Sequence, residues 1–107
     1  MSHTFMLSFK IPKPDKPERN DAYKRWLRKW PCIVCKKQWS VEAAHTGPHG
    51  IGTKASDYAC IALCKAHHQE LHQIGPLRFQ EGYFIVFTEL AAMYKGVWDM
   101  LQARKAA

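Results

Sequence analysis

Two short pairs of metal-ligand residues constrain this 107-residue chain more than any other feature of its sequence. Cys32 and Cys35 form a C-x-x-C pair, and Cys64 and His67 form a C-x-x-H pair of the same spacing. A tight turn lets two such side chains converge on one tetrahedral ion. Because a domain of this size often needs a metal or disulfides to stabilise its small core, the two pairs predict a structural Zn²⁺ site with four ligands: Cys32, Cys35, Cys64 and His67.

Two alternatives to this zinc site stay open at the level of sequence. Cys60 could replace His67 as a ligand, although it lies in an apolar stretch where a free cysteine usually behaves as a small hydrophobic residue. Cys32 and Cys35 could instead form a disulfide. The chain shows no secretory signal and no apolar run of membrane-spanning length, which predicts a cytoplasmic protein without a membrane partner. Disulfides are rare in that compartment, so metal is favoured.

The segments between and after the two pairs predict a strand–strand–helix unit. Residues 40–45 alternate weakly, and residues 58–63 form a short apolar run that suits a buried strand. A loop with three glycines and a proline, residues 46–57, separates them. Residues 64–74 then have the pattern of a helix that ends at Gly75 and Pro76. The predicted fold class is α+β.

Helices are predicted on both sides of this unit. A first helix begins at Asn20 or Asp21 and stops at Pro31. A long helix runs from Thr88 to about Arg104, and an apolar stripe along it is predicted to be buried, either in the core or between two copies of the chain: Leu90, Met93, Tyr94, Val97, Trp98 and Leu101. Residues 77–87 are ambiguous and are predicted as a short helical turn followed by an extended apolar piece. The predicted organisation is a basic extended arm (1–19), a metal-stabilised domain (20–75) and a helical extension packed on that domain (76–107).

The histidines near the second pair predict a second metal centre. His68 and His72 are four residues apart, so a helix stacks them on one face. His68 follows His67 directly and is therefore rotated by roughly 100° away from the predicted zinc site. A third histidine, His45, ends the first predicted strand, and folding of the strand–strand–helix unit would bring it toward His68 and His72.

The positive charge of the chain is concentrated in its first third. Residues 1–37 contain ten Lys and Arg against three acidic residues, whereas residues 38–107 contain six of each. Such a local excess favours a polyanionic partner, with nucleic acid as the first candidate. The residues predicted to contact DNA are Lys24, Arg25, Arg28 and Lys29 in the first helix and Lys54 in the loop.

The combined pattern C-x-x-C, A-H, C-x-x-H-H-x-x-x-H resembles the HNH endonucleases of the ββα-metal type, and is most similar to small phage- and prophage-associated HNH proteins. The segment Lys16–Asn20 and the loop Gly50–Asp57 add to this likeness, which covers roughly residues 16–75. The resemblance implies a small ββα-metal core with a zinc knuckle, and a metal-dependent endonuclease or nickase that hydrolyses DNA with low sequence specificity.

The resemblance also implies roles for individual residues. His45 would be the general base, and His68 and His72 would hold a catalytic Mg²⁺ or Mn²⁺ ion. The family's acidic ligand before the base is Ala44 here, and its middle asparagine is missing, so Asp57 or His49 is expected to act as a further ligand or, for Asp57, as an orienting group. The alternative function is a non-catalytic zinc-ribbon module that binds DNA.

Overall fold

A computed structural model describes residues 18–47 and 56–106. Within these ranges the chain forms a two-stranded sheet and four α-helices. The sheet pairs β1 (Val41–His45) with β2 (Cys60–Cys64) in antiparallel fashion, so that Val41 lies opposite Cys64 and His45 opposite Cys60. The predicted α+β class is confirmed, and both strands lie where the sequence pattern placed them.

The first helix, α1 (Asp21–Leu27), begins at a side-chain cap. The side-chain oxygen of Asn20 accepts a hydrogen bond from the backbone N–H of Tyr23 at 3.0 Å, which satisfies one of the unpaired donors of the first turn. Tyr23 and Leu27 are fully buried. The helix ends at Leu27, a few residues earlier than the predicted stop at Pro31.

The helix α2 (Lys65–Ile74) follows β2 without a loop. It ends at Gly75, whose φ of 88° lies in the left-handed region that a side chain disfavours. Pro76 then takes the first turn of a separate helix, α3 (Pro76–Tyr83), where its missing N–H costs nothing. The extended piece that the ambiguous segment allowed is therefore wrong, because only residues 84–86 separate α3 from the next helix.

The long C-terminal helix, α4 (Phe87–Ala106), packs against β2 and the turn before it. Tyr94 is buried, and Trp98 contacts the ring of Tyr23 edge-on at a centroid distance of 5.4 Å. The prediction that Met93 belongs to the buried stripe is wrong, since 41% of it is exposed. It lies roughly 120° around the helix from the middle of the face that carries Phe87, Tyr94 and Trp98.

No helix in the described ranges is both long enough and apolar enough to cross a membrane.

Candidate functional site

The C-x-x-C and C-x-x-H pairs meet in one cluster. The ligand atoms of Cys32, Cys35, Cys64 and His67 all lie within 4.8 Å of one another. Cys35 Sγ is 3.8 Å from Cys64 Sγ, and Cys32 Sγ is 3.7 Å from His67 Nδ1. Tetrahedral zinc with Zn–S bonds of about 2.3 Å places its sulfur ligands about 3.8 Å apart. The predicted Cys3His cluster is thus present, and it could hold a metal ion such as zinc.

The backbone presents the first two thiols from a tight knuckle. The N–H of Cys32 donates to the carbonyl of Lys37, and the N–H of Lys36 donates back to the carbonyl of Cys32, at 2.8 and 2.9 Å. Lys36 has a positive φ of 66°, which closes the turn. The N–H of Ile33 donates to Ala62 of β2. This last bond fixes the knuckle beside the strand that ends in Cys64.

The chemistry of the cysteines differs between the cluster and Cys60. Burial opposes ionisation of the Cys32 thiol, but hydrogen bonds from backbone groups of Cys35, Cys64 and Val34 outweigh it and lower its pKa to about 6. Burial raises the pKa of Cys60 to about 12, and that residue lies at the opposite end of β2 from the cluster. The structure therefore brings His67 and not Cys60 to the other ligands. All four cysteines are free of disulfides.

His45, at the end of β1, is paired with a buried carboxylate. Its Nε2 lies 2.8 Å from Asp57 Oδ1, while the imidazole itself is partly exposed. Asp57 is fully buried and binds three further groups: Arg19 Nη1 at 3.1 Å, the backbone N–H of Asn20 at 2.8 Å and Lys24 Nζ at 3.7 Å. An ionised carboxylate can only accept hydrogen bonds, so the imidazole donates from Nε2. Of the two roles predicted for Asp57, this geometry suits orientation of His45.

The surroundings of Asp57 favour its ionised form. Burial alone would raise the pKa of the carboxyl, but the Asn20 N–H, His45, Lys24 and Arg19 together lower it below its ordinary value. A lowered pKa means that the ionised carboxylate stabilises the folded state above the pKa of an unfolded aspartate, and that this stabilisation is lost as the pH falls through the lowered pKa. At neutral pH the charge is fully present.

His68 and His72 share one face of α2, as their spacing predicts. Their ring centroids are 4.9 Å apart with planes inclined by 33°. His68 is also bound to a residue that the sequence pattern did not indicate: its Nδ1 lies 2.7 Å from Glu42 Oε1. Glu42 lies opposite Leu63 in the sheet, next to the point where β2 leads into α2, and this register carries its carboxylate to the first turn of the helix.

A cavity of about 530 Å³ lies between the end of β1 and the helices α2, α3 and α4. His45 and His72 both line it, so two of the three predicted catalytic histidines face one space. Apolar side chains from α2, α3 and α4 form much of the remaining wall: Leu71, Pro76 and Phe87. His68 lies beside His72 on the same helix.

Other predicted site residues are placed differently. His49 and Lys54 lie outside the described residues, as does most of the basic arm. Ala44 is fully buried. Lys24 is held between Asp21 and Asp57, whereas three predicted DNA contacts on or just after α1 are exposed: Arg25, Arg28 and Lys29. Among the described residues, the Cys3His cluster is the single group of three or more ligand-type side chains that lie so close together.

The fold and the cluster define a small α+β protein with a Cys3His group suited to a metal ion such as zinc. Residues 2–90 match the model of a family described as "Protein of unknown function (DUF968)", and the chain belongs to that family. It is also similar to the "Uncharacterized protein YdfU" of Escherichia coli (strain K12), with 36% identity over 66 residues. That match covers 59% of this chain and 18% of YdfU, so the chain spans about a fifth of its relative. No solved structure matches it significantly.

Proposed function

We propose that this protein is a metal-dependent DNA endonuclease or nickase of the HNH, ββα-metal class, with low sequence specificity. One observation carries the proposal: two histidines, His45 and His68, are each bound through one ring nitrogen to a carboxylate, on Asp57 and Glu42 respectively. A carboxylate that accepts from one nitrogen fixes the tautomer and directs the lone pair of the other nitrogen outward. Histidines that merely face solvent give no reason for two such pairs in one small domain.

The first pair suits general base catalysis. With Nε2–H donating to Asp57, the lone pair of His45 is on Nδ1, where it can accept a proton from an attacking water. The buried carboxylate stabilises the imidazolium that then forms, as a carboxylate behind a catalytic histidine does in general. His45 lines the cavity, so a phosphodiester placed there lies within reach of its imidazole.

The second pair suits a divalent ion. With Nδ1–H donating to Glu42, Nε2 of His68 is available as a ligand, and the ring of His72 lies beside it. Imidazole ligands suit Mn²⁺ better than they suit the harder Mg²⁺ ion. When bound, such an ion supplies Lewis acidity at the phosphate and stabilises the leaving oxygen. Because the protein supplies only a few ligands, coordination positions on the ion stay open for water and for the DNA itself.

The Cys3His cluster has a structural role in this proposal. Cys32, Cys35, Cys64 and His67 would hold Zn²⁺ and tie the knuckle to the start of α2. A site with four protein ligands keeps no position for substrate, which is typical of structural zinc. The ring of Tyr83 on α3 packs edge-on against His67 at a centroid distance of 5.6 Å, so a third element fixes this imidazole.

DNA binding is expected to depend on the basic surface of α1. Arg25, Arg28 and Lys29 are exposed, and they continue the positive charge of the residues before the helix. Contacts of this kind reach phosphates and position the protein without specifying sequence. The low specificity of the proposed enzyme follows from them.

Alanine substitution of Arg25, Arg28 and Lys29 together is expected to weaken binding to unrelated duplexes equally and to flatten the dependence on salt. The logarithmic salt slope should fall by about 1 for each phosphate that the variant no longer neutralises. Fluorescence anisotropy over a range of salt concentrations measures both effects. A matched triple variant of Arg78, Arg104 and Lys105 removes the same charge from the C-terminal half and should bind like wild type. Unchanged binding by the first triple variant would place the DNA surface elsewhere, and an equal loss in both triple variants would show that binding follows net charge and not this surface.

The catalytic proposal is tested with supercoiled plasmid. Protein that carries one equivalent of zinc should leave the plasmid intact until Mg²⁺ or Mn²⁺ is added, and Mn²⁺ should give the faster nicking. His72→Ala should require more Mn²⁺ for half-maximal rate, whereas Gln73→Ala, an exposed neighbour on the same helix, should not. Nicking that is independent of added ion would contradict the proposed ion site. Binding without any nicking would favour the non-catalytic zinc-ribbon module.

A further inference from the structure

A large aromatic side chain stands exposed beside the zinc knuckle. Trp39 has 67% of its surface open to solvent, and it is not needed for the core, which the other three tryptophans help to form. Lys37 Nζ lies over its ring, 5.4 Å from the centroid. This cation–π contact steadies the indole, while most of the ring remains available to a partner.

The backbone around Trp39 is held in place on both sides. The carbonyl of Lys37 accepts from the Cys32 N–H at 2.8 Å, and the carbonyl of Ser40 accepts from the Lys65 N–H at 2.9 Å. The segment is therefore fixed to the knuckle at one end and to the start of α2 at the other. A partner that binds a pre-ordered ring loses little conformational freedom in doing so.

The surroundings of Trp39 are positively charged. Lys36 and Lys65 are exposed, Lys37 lies over the ring, and the bond from Lys65 to Ser40 brings the start of α2 close. The nearest acidic residue along the chain is Glu42, whose carboxylate is bound to His68. The patch therefore combines an open aromatic face with cations that suit phosphates, which is the combination that proteins use for single-stranded nucleic acid.

We propose that Trp39 is a stacking platform for an unpaired nucleobase, and that Lys36, Lys37 and Lys65 contact the phosphates next to that base. In a duplex both faces of a base are covered by its neighbours, so the platform selects a substrate that contains a single-stranded region. This inference rests on the nucleic-acid-binding part of the proposed function and names its substrate class. It does not depend on cleavage.

The chain offers a matched control for an exposed aromatic ring. Phe84 is 95% exposed, yet no Lys or Arg lies within five residues of it on either side. Its substitution removes an open ring where the local sequence supplies no cation. Trp39→Phe provides a second control, because it keeps a ring at the platform.

The test is binding of labelled oligo(dT) of 15 nucleotides and of a blunt 15-base-pair duplex, measured by anisotropy without a catalytic ion. Trp39→Ala should weaken binding to oligo(dT) by about 5- to 100-fold and binding to the duplex by less than about 2-fold. Trp39→Phe should keep most of the affinity, and Phe84→Ala should match wild type. Addition of oligo(dT) should quench the tryptophan emission of wild type more than that of Trp39→Phe.

Three results would overturn the platform: unchanged oligo(dT) binding by Trp39→Ala, an equal loss of affinity for oligo(dT) and duplex, or an equal loss of affinity in Phe84→Ala. Zinc content and circular dichroism verify that each variant is folded. The plasmid assay is independent of these measurements. If Trp39 contributes to oligo(dT) binding but the protein does not nick plasmid, the proposed enzyme is refuted. If the protein nicks plasmid but Trp39 does not contribute to oligo(dT) binding, the proposed substrate class is refuted.

Discussion

Cys35→Ser is expected to lose its zinc and to unfold. Cys35 is exposed in the cluster, so the substitution removes no buried packing, and any loss of stability reports the metal. Structural zinc contributes roughly 10–16 kcal/mol of apparent binding free energy in small zinc-binding peptides, whereas whole domains have only about 5–15 kcal/mol of net stability. Elemental analysis and thermal denaturation followed by circular dichroism measure the two effects.

Cys60→Ala is the matched control for this experiment. Cys60 is fully buried but lies outside the cluster, so its substitution should cost packing and leave one zinc per chain. The expected pattern is a folded, zinc-containing Cys60→Ala protein and an unfolded, zinc-free Cys35→Ser protein. A Cys35→Ser protein that melts like wild type would show that the cluster has no structural metal.

His45→Ala is expected to reduce plasmid nicking by about 100- to 10,000-fold, which is the usual contribution of a positioned general base. The variant should keep its zinc and bind DNA nearly as wild type does, because His45 is partly exposed and lies at the far end of β1 from the knuckle. Initial rates in saturating Mn²⁺ provide the measurement. Saturation matters because it separates the loss of a base from a weakened ion site.

Thr46→Ala is the matched control for the base. Thr46 is the next residue and lines the same cavity, but its hydroxyl donates to the carbonyl of Ala59 and does not titrate. This variant should nick at close to the wild-type rate. If His45→Ala, freed of contaminating nuclease, also nicks at that rate, the catalytic proposal fails and the binding module replaces it.

The sequence allowed prediction of those parts of the site that depend on local spacing. The C-x-x-C and C-x-x-H pairs and the i, i+4 histidines need only a turn or a helix to bring their members together. The strand–strand–helix order follows from short apolar runs and a glycine-rich loop. These are the features that the structure places as expected.

The parts that the sequence left open depend on contacts between distant residues. Glu42 reaches His68, 26 residues away, through the strand register, and alternation along a strand does not indicate such a partner. Asp57 was expected as a ligand or an orienting group, and only its bonds to His45 and to residues before α1 favour orientation. Met93 fits an apolar helical stripe, but the neighbouring elements cover a narrower face than that stripe.

The adjacency of His67 and His68 has a consequence for how this domain can vary. Because His67 belongs to the Cys3His cluster, the angular position of α2 about its own axis is set from one end. His68 is the next residue, so its direction toward Glu42 is set by the same anchor. The cluster thus fixes the rotation of the helix about its own axis. An insertion of one residue between the two histidines would rotate His68 and His72 by roughly 100° relative to the cluster. The Cys3His cluster and the His68–Glu42 pair therefore depend on the same helical register, which a change in length between the two histidines would break.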